Sequence, residues 1–96
     1  MPSFFIAVDL KGEVPNQERT GLLDLMADLG FTQAILAPSG RLLELPSQIF
    51  EGDSDLSLGN LALEVRSCVQ ARLWPGATVM VISRGQWEIV YASPQV

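Results

Sequence analysis

Histidine is absent from the 96-residue sequence, and cysteine occurs once, as Cys68. Without histidine the chain lacks the side chain most used for acid–base catalysis near neutral pH, together with Ser–His and Cys–His nucleophile pairs and most zinc sites. A lone cysteine cannot form an intramolecular disulfide and suits a reducing compartment. Its neighbours Val65, Val69 and Arg72 indicate a helix face, so we interpret Cys68 as a buried, unreactive thiol.

Charged residues are also scarce, at 18% of the sequence, where an average soluble domain has about 25%. Eleven acidic and six basic residues give a net charge of −5. Nucleic-acid binding normally depends on clustered Lys and Arg that release condensed counterions, whereas the six basic residues here are scattered. The net charge therefore disfavours nucleic acid as a partner.

Long apolar runs are missing as well, since none approaches the roughly 18 residues that a membrane span requires. The N-terminal segment has no basic leader and reaches an acid at Asp9, so we expect a cytoplasmic protein that does not use a membrane. The length predicts one domain, residues 1–96.

Apolar residues are nevertheless abundant, at 48% of the chain. That composition excludes intrinsic disorder. A domain of this size buries only about 60–65% of the surface of its unfolded chain. Much of the apolar surface should therefore remain outside a monomer core, which suggests an oligomer.

The first half of the chain predicts a strand, a helix and a hairpin. Residues 3–8 are almost continuously apolar, which is typical of a strand buried on both faces. Asn16 can cap a helix that ends at Gly30 and buries an apolar stripe of Leu22, Leu25, Met26 and Leu29. Residues 31–37 and 41–45 flank a Pro-Ser-Gly turn and predict a hairpin.

The second half predicts a helix between two strands, with a further strand at the end. Residues 51–55 read as a polar loop that leads to a helix cap. Apolar residues at helical spacing predict a helix over residues 56–74, which Pro75 and Gly76 end. Residues 77–82 form another apolar strand, and residues 87–92 alternate in the manner of a strand with one wet face.

This order predicts an α+β protein of the ferredoxin-like β-α-β-β-α-β plan with an additional C-terminal strand. In that plan both helices cover one face of an antiparallel sheet, and the strands from Ser3 and Ala77 are its central pair. The second sheet face is then bare although both central strands are apolar on both sides. A second copy related by a two-fold axis is the simplest cover, so we expect a homodimer through the open sheet face.

The acidic residues Glu51, Asp53 and Asp55 have an alternate spacing that suggests a hard cation such as calcium. They fail the calcium-loop template, because the sixth position is leucine where glycine is required. A helix start explains them better, with Asp55, Ser54 or Ser57 accepting hydrogen bonds from free amides.

Asp9 follows directly on a predicted central strand. A carboxylate there can bind a divalent metal that activates water for phosphodiester cleavage, if other oxygens converge on it. The alternative is that Asp9 ends the strand and accepts the amides of Lys11 and Gly12 in a turn.

The segments FIAVDL, residues 5–10, and IFEG, residues 49–52, together with the order of elements, resemble the small CRISPR-adaptation subunit family and the related virulence-associated endoribonuclease toxins. The resemblance implies a ferredoxin-like homodimer in which the strand-end Asp of each subunit meets near the interface. Some members cleave RNA or DNA with a divalent metal, which would make Asp9 a catalytic metal ligand for Mg or Mn. Family members tend to carry arginines on the first helix, whereas this helix carries Glu18, Asp24 and Asp28 with a single Arg19.

Three aromatic residues, Trp74, Trp87 and Tyr91, suggest a stacking platform for bases, but the basic groove that accompanies such platforms is missing. Core or interface packing is the better interpretation.

The leading hypothesis from the sequence is a small cytoplasmic homodimer that binds another macromolecule, a protein above all, without catalysis and without a cofactor. The alternative is a metal-dependent endoribonuclease or DNase, or a nucleic-acid-associated subunit, that uses Asp9 at the dimer interface. A third hypothesis is a small-ligand sensor whose pocket is the sheet face.

Overall fold

The structure is a computed structural model that describes residues 2–36, 39–46 and 48–85. The elements follow the order β1 (Ser3–Leu10), α1 (Asn16–Asp28), β2 (Ala34–Leu36), β3 (Leu42–Glu44), β4 (Ile49–Asp53), α2 (Leu58–Arg72) and β5 (Ala77–Ser83). Helices and antiparallel strands share one chain, so the predicted α+β class is confirmed. The predicted last strand, residues 87–92, lies outside the described residues.

β1 is the centre of a three-stranded sheet in the order β4-β1-β5, and both neighbours run antiparallel to it. The register places Ile6 opposite Phe50 of β4 and Val81 of β5. β4 and β5 are therefore parallel to each other on either side of β1, and α2 connects them. The expected pairing of the strands from Ser3 and Ala77 is confirmed, although β1 alone has a described neighbour on each side.

Alternate residues of β1 form the floor of the hydrophobic core. Phe4, Ile6, Val8 and Leu10 are at most 5% exposed, whereas the residues between them are only partly buried. Both helices pack on this face with the predicted stripes, which are Leu22, Leu25 and Met26 of α1 and Leu61, Val65 and Val69 of α2. The expectation of a strand buried on both faces is wrong for the single chain, since the described residues close only the core face of β1.

α1 ends where the sequence predicts. Gly30 has a φ of 91°, in the left-handed region that glycine adopts without steric cost. Its amide donates to the Ala27 carbonyl at 3.0 Å, and the Phe31 amide donates to the Met26 carbonyl at 2.8 Å. These two bonds form a Schellman cap. The buried pair of Phe31 and Met26 supplies the apolar contact that accompanies such a cap.

The start of α1 differs from the prediction. Pro15 occupies the cap position, and no side chain caps the helix. Asn16 is already the first helical residue, so the prediction that it caps α1 is wrong. Pro15 is extended, with φ −60° and ψ 151°, and the helix begins at the next residue. The proline ring fixes its φ and therefore favours Pro15 at this position.

α2 begins with one of the predicted caps. The Ser57 hydroxyl accepts a hydrogen bond from the Asn60 amide at 3.4 Å, as expected of an N-cap serine. Neither described helix is long and apolar enough to cross a bilayer.

The predicted hairpin is present, but it stands apart from the main sheet. β2 and β3 pair antiparallel, with Ile35 opposite Leu43, in a two-stranded sheet of their own. A single bridge, from Thr32 to Glu51, joins the segment after α1 to β4.

The prediction of a polar loop over residues 51–55 is wrong for residues 51–53. Glu51, Gly52 and Asp53 continue the strand β4, which begins at Ile49. The polar residues point away from the core, and Phe50 and Gly52 alternate with them toward it. Three strands therefore separate the helices, and the order is β-α-β-β-β-α-β instead of the predicted β-α-β-β-α-β.

Gly52 lies where the end of α1 approaches the sheet, and we predict that Gly52→Ala destabilises the fold. A Cβ atom there would lie 2.5 Å from the Gly30 carbonyl oxygen and 2.6 Å from the Phe31 ring. Such overpacking against backbone should lower the free energy of unfolding by about 1–3 kcal/mol in urea denaturation. The matched control is Gly59→Ala in α2, where a Cβ meets no atom within 4 Å, so an increase of up to ~1 kcal/mol is expected. Equal effects of the two substitutions would contradict this account of Gly52.

Candidate functional site

The side of the sheet opposite the helices carries an apolar patch, which we call the open face and define by Phe5, Ala7, Ile49, Met80 and Ile82. Phe5 lies opposite Ile82, and Ala7 lies between Ile49 and Met80. Met80 and Ile82 are 55% and 50% exposed, values uncommon for large apolar side chains in the middle of a strand. Successive side chains of a strand point to opposite sides of the sheet. The residues between the core positions are apolar too, so the side away from the helices is also apolar.

Polar pairs border the open face at the end near the N-terminus of β1. Arg84 Nη1 donates to Glu51 Oε1 at 2.8 Å, and both side chains are largely buried, at 29% and 14% exposure. Glu51 belongs to β4 and Arg84 follows β5, so this ion pair spans β1, which lies between those strands. The Ser3 hydroxyl donates to the Asp53 carboxylate at 2.6 Å beside it. An apolar centre with a polar rim is the usual anatomy of a protein–protein interface.

Asp9 lies within β1 on the same side of the sheet as Phe5 and Ala7, at the other end of the open face. Its side chain is 47% exposed and accepts a hydrogen bond from Lys11 Nζ at 2.5 Å. The Lys11 amide donates to the Gly76 carbonyl at 2.8 Å. The interpretation that Asp9 accepts the Lys11 amide in a turn is therefore wrong, because β1 continues through Leu10 and directs that amide to the loop before β5.

Among the described residues, no cluster of metal-ligating side chains surrounds Asp9. Across the described ranges, no three His, Cys, Asp or Glu side chains lie close enough together to hold an ion. The charged partner of Asp9 is a lysine ammonium, which competes with a cation for the carboxylate. Within residues 2–36, 39–46 and 48–85, the Mg or Mn that the family resemblance implies would therefore meet no cluster of three such side chains at Asp9.

Glu51, Asp53 and Asp55, the three acidic residues at alternate positions, do not form one site. Glu51 pairs with Arg84 and Asp53 with Ser3, while Asp55 lies beyond β4 in the turn before α2. The ion pair of Glu51 joins residues 33 apart in the chain, and sequence patterns carry no signal for a contact of that kind.

Cys68 is partly buried on α2, where its thiol lies 3.7 Å from Glu64 Oε1 as a hydrogen-bond donor. Burial raises the pKa of the Cys68 thiol, and the negative charge of Glu64 raises it further, while Arg72 opposes the shift. The thiol is therefore protonated at neutral pH, which agrees with an unreactive cysteine, but Cys68 is only partly buried, so the expectation of a buried thiol is not met.

Trp74 has a structural role. Its indole Nε1 donates to the Lys11 carbonyl at 2.7 Å, and the ring packs against the core. These contacts hold the C-terminal end of β1 against the loop after α2. Trp87 and Tyr91, the other members of the suggested stacking platform, lie outside the described residues.

The raised pKa of Cys68 predicts slow alkylation by iodoacetamide at neutral pH, because the thiolate is the reacting form. Replacing the neighbouring acid, Glu64→Gln, removes a charge that disfavours the thiolate, and the rate should rise. The rate is measured by mass spectrometry of the folded protein, with Glu18→Gln on α1 as the control that leaves it unchanged. A rate equal to that of the unfolded chain, or one insensitive to Glu64→Gln, would contradict the assignment.

Comparison of the chain with protein-family models and with curated protein sequences found no match to either.

Proposed function

We propose that this protein is a homodimeric interaction protein whose two subunits pack through their open faces, and that it acts by binding rather than by catalysis. The observation that carries the proposal is the apolar open face, where Met80 and Ile82 of β5 are 55% and 50% exposed. Leaving such a patch in water forgoes about 25 cal/mol for each Å² of apolar surface that a second copy would cover.

The layered shape supports a sheet-to-sheet dimer. The shortest dimension of the chain is 18 Å, which fits one sheet and one layer of helices, since packed layers are about 10 Å apart. A second copy that packs its sheet against the first completes a four-layer arrangement with both open faces inside. The Glu51–Arg84 pair then lies at the rim with its charges already matched.

We further propose that the fold is a ferredoxin-like plan enlarged by the β2–β3 hairpin. The order β4-β1-β5 with a helix connecting the two outer strands supports this relationship. The bridge from Thr32 to Glu51 supports it too, because it places the segment after α1 beside β4, where the second strand of the plan runs.

The β2–β3 hairpin offers a further surface for a macromolecular partner. The hairpin presents Leu36 and Leu42 directly opposite each other, at 62% and 72% exposure. Contiguous exposed apolar surface marks protein contacts, and this pair contributes to such a surface on the hairpin. The carboxylates of Asp9, Asp28 and Glu51 each pair with a cationic side chain. We place this partner and the dimer in the cytoplasm, where a lone thiol such as Cys68 stays reduced.

Sedimentation velocity tests the dimer. The wild-type protein should sediment as a dimer at micromolar concentration, and Met80→Glu should weaken dimerisation more than about a hundredfold, because a buried unpaired charge costs roughly 3–5 kcal/mol. Leu63→Glu is the matched control, since Leu63 is 53% exposed on α2, away from the open face, and should leave the dimer intact. A monomeric wild type, or a Met80→Glu protein that dimerises normally, would overturn the proposal.

The alternative is a metal-dependent nuclease or nucleic-acid-associated subunit that uses Asp9 from both subunits. The placement of Asp9 on the side of the sheet that carries the open face supports it, because an interface there includes a carboxylate from each copy. The Lys11 pairing of Asp9 opposes it.

Incubation with RNA and DNA in the presence of Mg²⁺ or Mn²⁺ separates the two proposals. If the interaction protein is correct, no cleavage above background occurs, and Asp9→Asn leaves the dimer and its stability within about 0.5 kcal/mol of wild type, as is usual at exposed positions. Cleavage that Asp9→Asn abolishes would establish the nuclease instead.

A further inference from the structure

A cleft lies on the helix side of the sheet, away from the open face. This cleft of about 250 Å³ opens between the first half of α1 and Gln48, the residue before β4. Leu10, Leu22 and Phe50 form its apolar base and are at most 5% exposed. Leu23 adds an apolar wall that is 44% exposed.

The polar groups of the cleft come from three separate segments. Arg19 on α1, Gln33 before β2 and Gln48 before β4 all line it. Gln33 Nε2 donates to the Pro46 carbonyl at 3.4 Å, which ties the segment before β2 to Pro46, two residues before Gln48. In the described part of the chain, Arg19 forms no ion pair. A guanidinium without a counter-charge beside an apolar base is a ready donor for an anionic group.

Gln48, which also lines the cleft, has a backbone φ of 75°. This left-handed conformation disfavours a glutamine relative to glycine. The Gln48 carbonyl accepts the Val8 amide at 2.9 Å, a bond that glycine would make equally well. What glutamine adds is a carboxamide in the cleft, and strained residues of this kind are concentrated at ligand sites.

We infer that this cleft binds a small organic monocarboxylate, with the carboxylate on Arg19, amide hydrogen bonds from Gln48, and an apolar body over Leu22 and Phe50. One arginine matches one negative charge, whereas the net charge of −5 repels polyanions such as nucleotide phosphates. The volume is below the range of about 300–1,000 Å³ that holds drug-sized ligands, so the ligand has few atoms beyond a short chain or one ring.

An NMR titration of the whole chain with hexanoate tests the site, with uncharged hexanamide as the matched ligand. Hexanoate should shift the side-chain resonances of Arg19 and Gln48 to saturation and bind roughly ten- to a hundredfold more tightly than hexanamide, since a charge-assisted hydrogen bond contributes about 1.5–3 kcal/mol. Arg19→Gln should remove this preference. Arg66→Gln, an exposed arginine of α2 outside the cleft, should keep it.

A second variant separates binding from folding. Gln48→Gly should weaken hexanoate binding without lowering the free energy of unfolding, because it relieves the left-handed backbone while it removes the carboxamide. Neither variant lies on the open face, so the dimer measured by sedimentation should be unchanged. Absence of saturable shifts, equal affinity for hexanoate and hexanamide, or unaltered binding by Arg19→Gln would each overturn the proposal.

Discussion

The packing of alternate β1 residues against both helices is the contact on which the rest of the structure depends. Ile6 and Val8 are fully buried there, and burying side chains of this size stabilises a fold by about 1.5–3 kcal/mol each. β1 is also the one described strand with a partner on each side. A shift of its register by one residue would expose the whole set and bury Asp9 instead, so the pairing with β4 and β5 is strongly specified.

The same alternation produces the open face. In an antiparallel sheet with helices on one side, the other side usually carries polar residues. Here Phe5, Met80 and Ile82 occupy those positions, and the Glu51–Arg84 pair adds matched charge at one end. The pair and the apolar residues together make a surface with interface character, whereas Asp9 on the same side has a lysine as its charged partner. These contacts are the basis of our proposal that the open face binds a second copy of the chain.

The meeting of α1 and β4 shows how one small residue sets a tertiary distance. Gly30 ends the helix in a left-handed conformation, and the chain then passes directly over Gly52 of β4. Only a residue without a Cβ atom fits beneath the Gly30 carbonyl and the Phe31 ring. In the sequence, Gly52 stands in a polar stretch and reads as part of a loop, yet it has a packing role in a strand. Local patterns misplace such a glycine because the atoms that surround it come from another part of the chain.

The sequence by itself determined the α+β class, both helices with their buried stripes, the β1 strand and the glycine that ends α1. Each of these follows from periodicity or from hydrogen bonds within a few residues. For the cap of α2 it left three candidates, Asp55, Ser54 and Ser57. The tertiary structure alone decided that β4 is a strand, that the hairpin leaves the main sheet, and that Glu51 pairs with Arg84. It also decided that Asp9 points to the open face beside Lys11, and that Arg19 and Gln48 line one cleft. The physical reason is the same throughout, because these features depend on strand pairing and side-chain contacts between distant segments, which the spacing of residues along the chain does not encode.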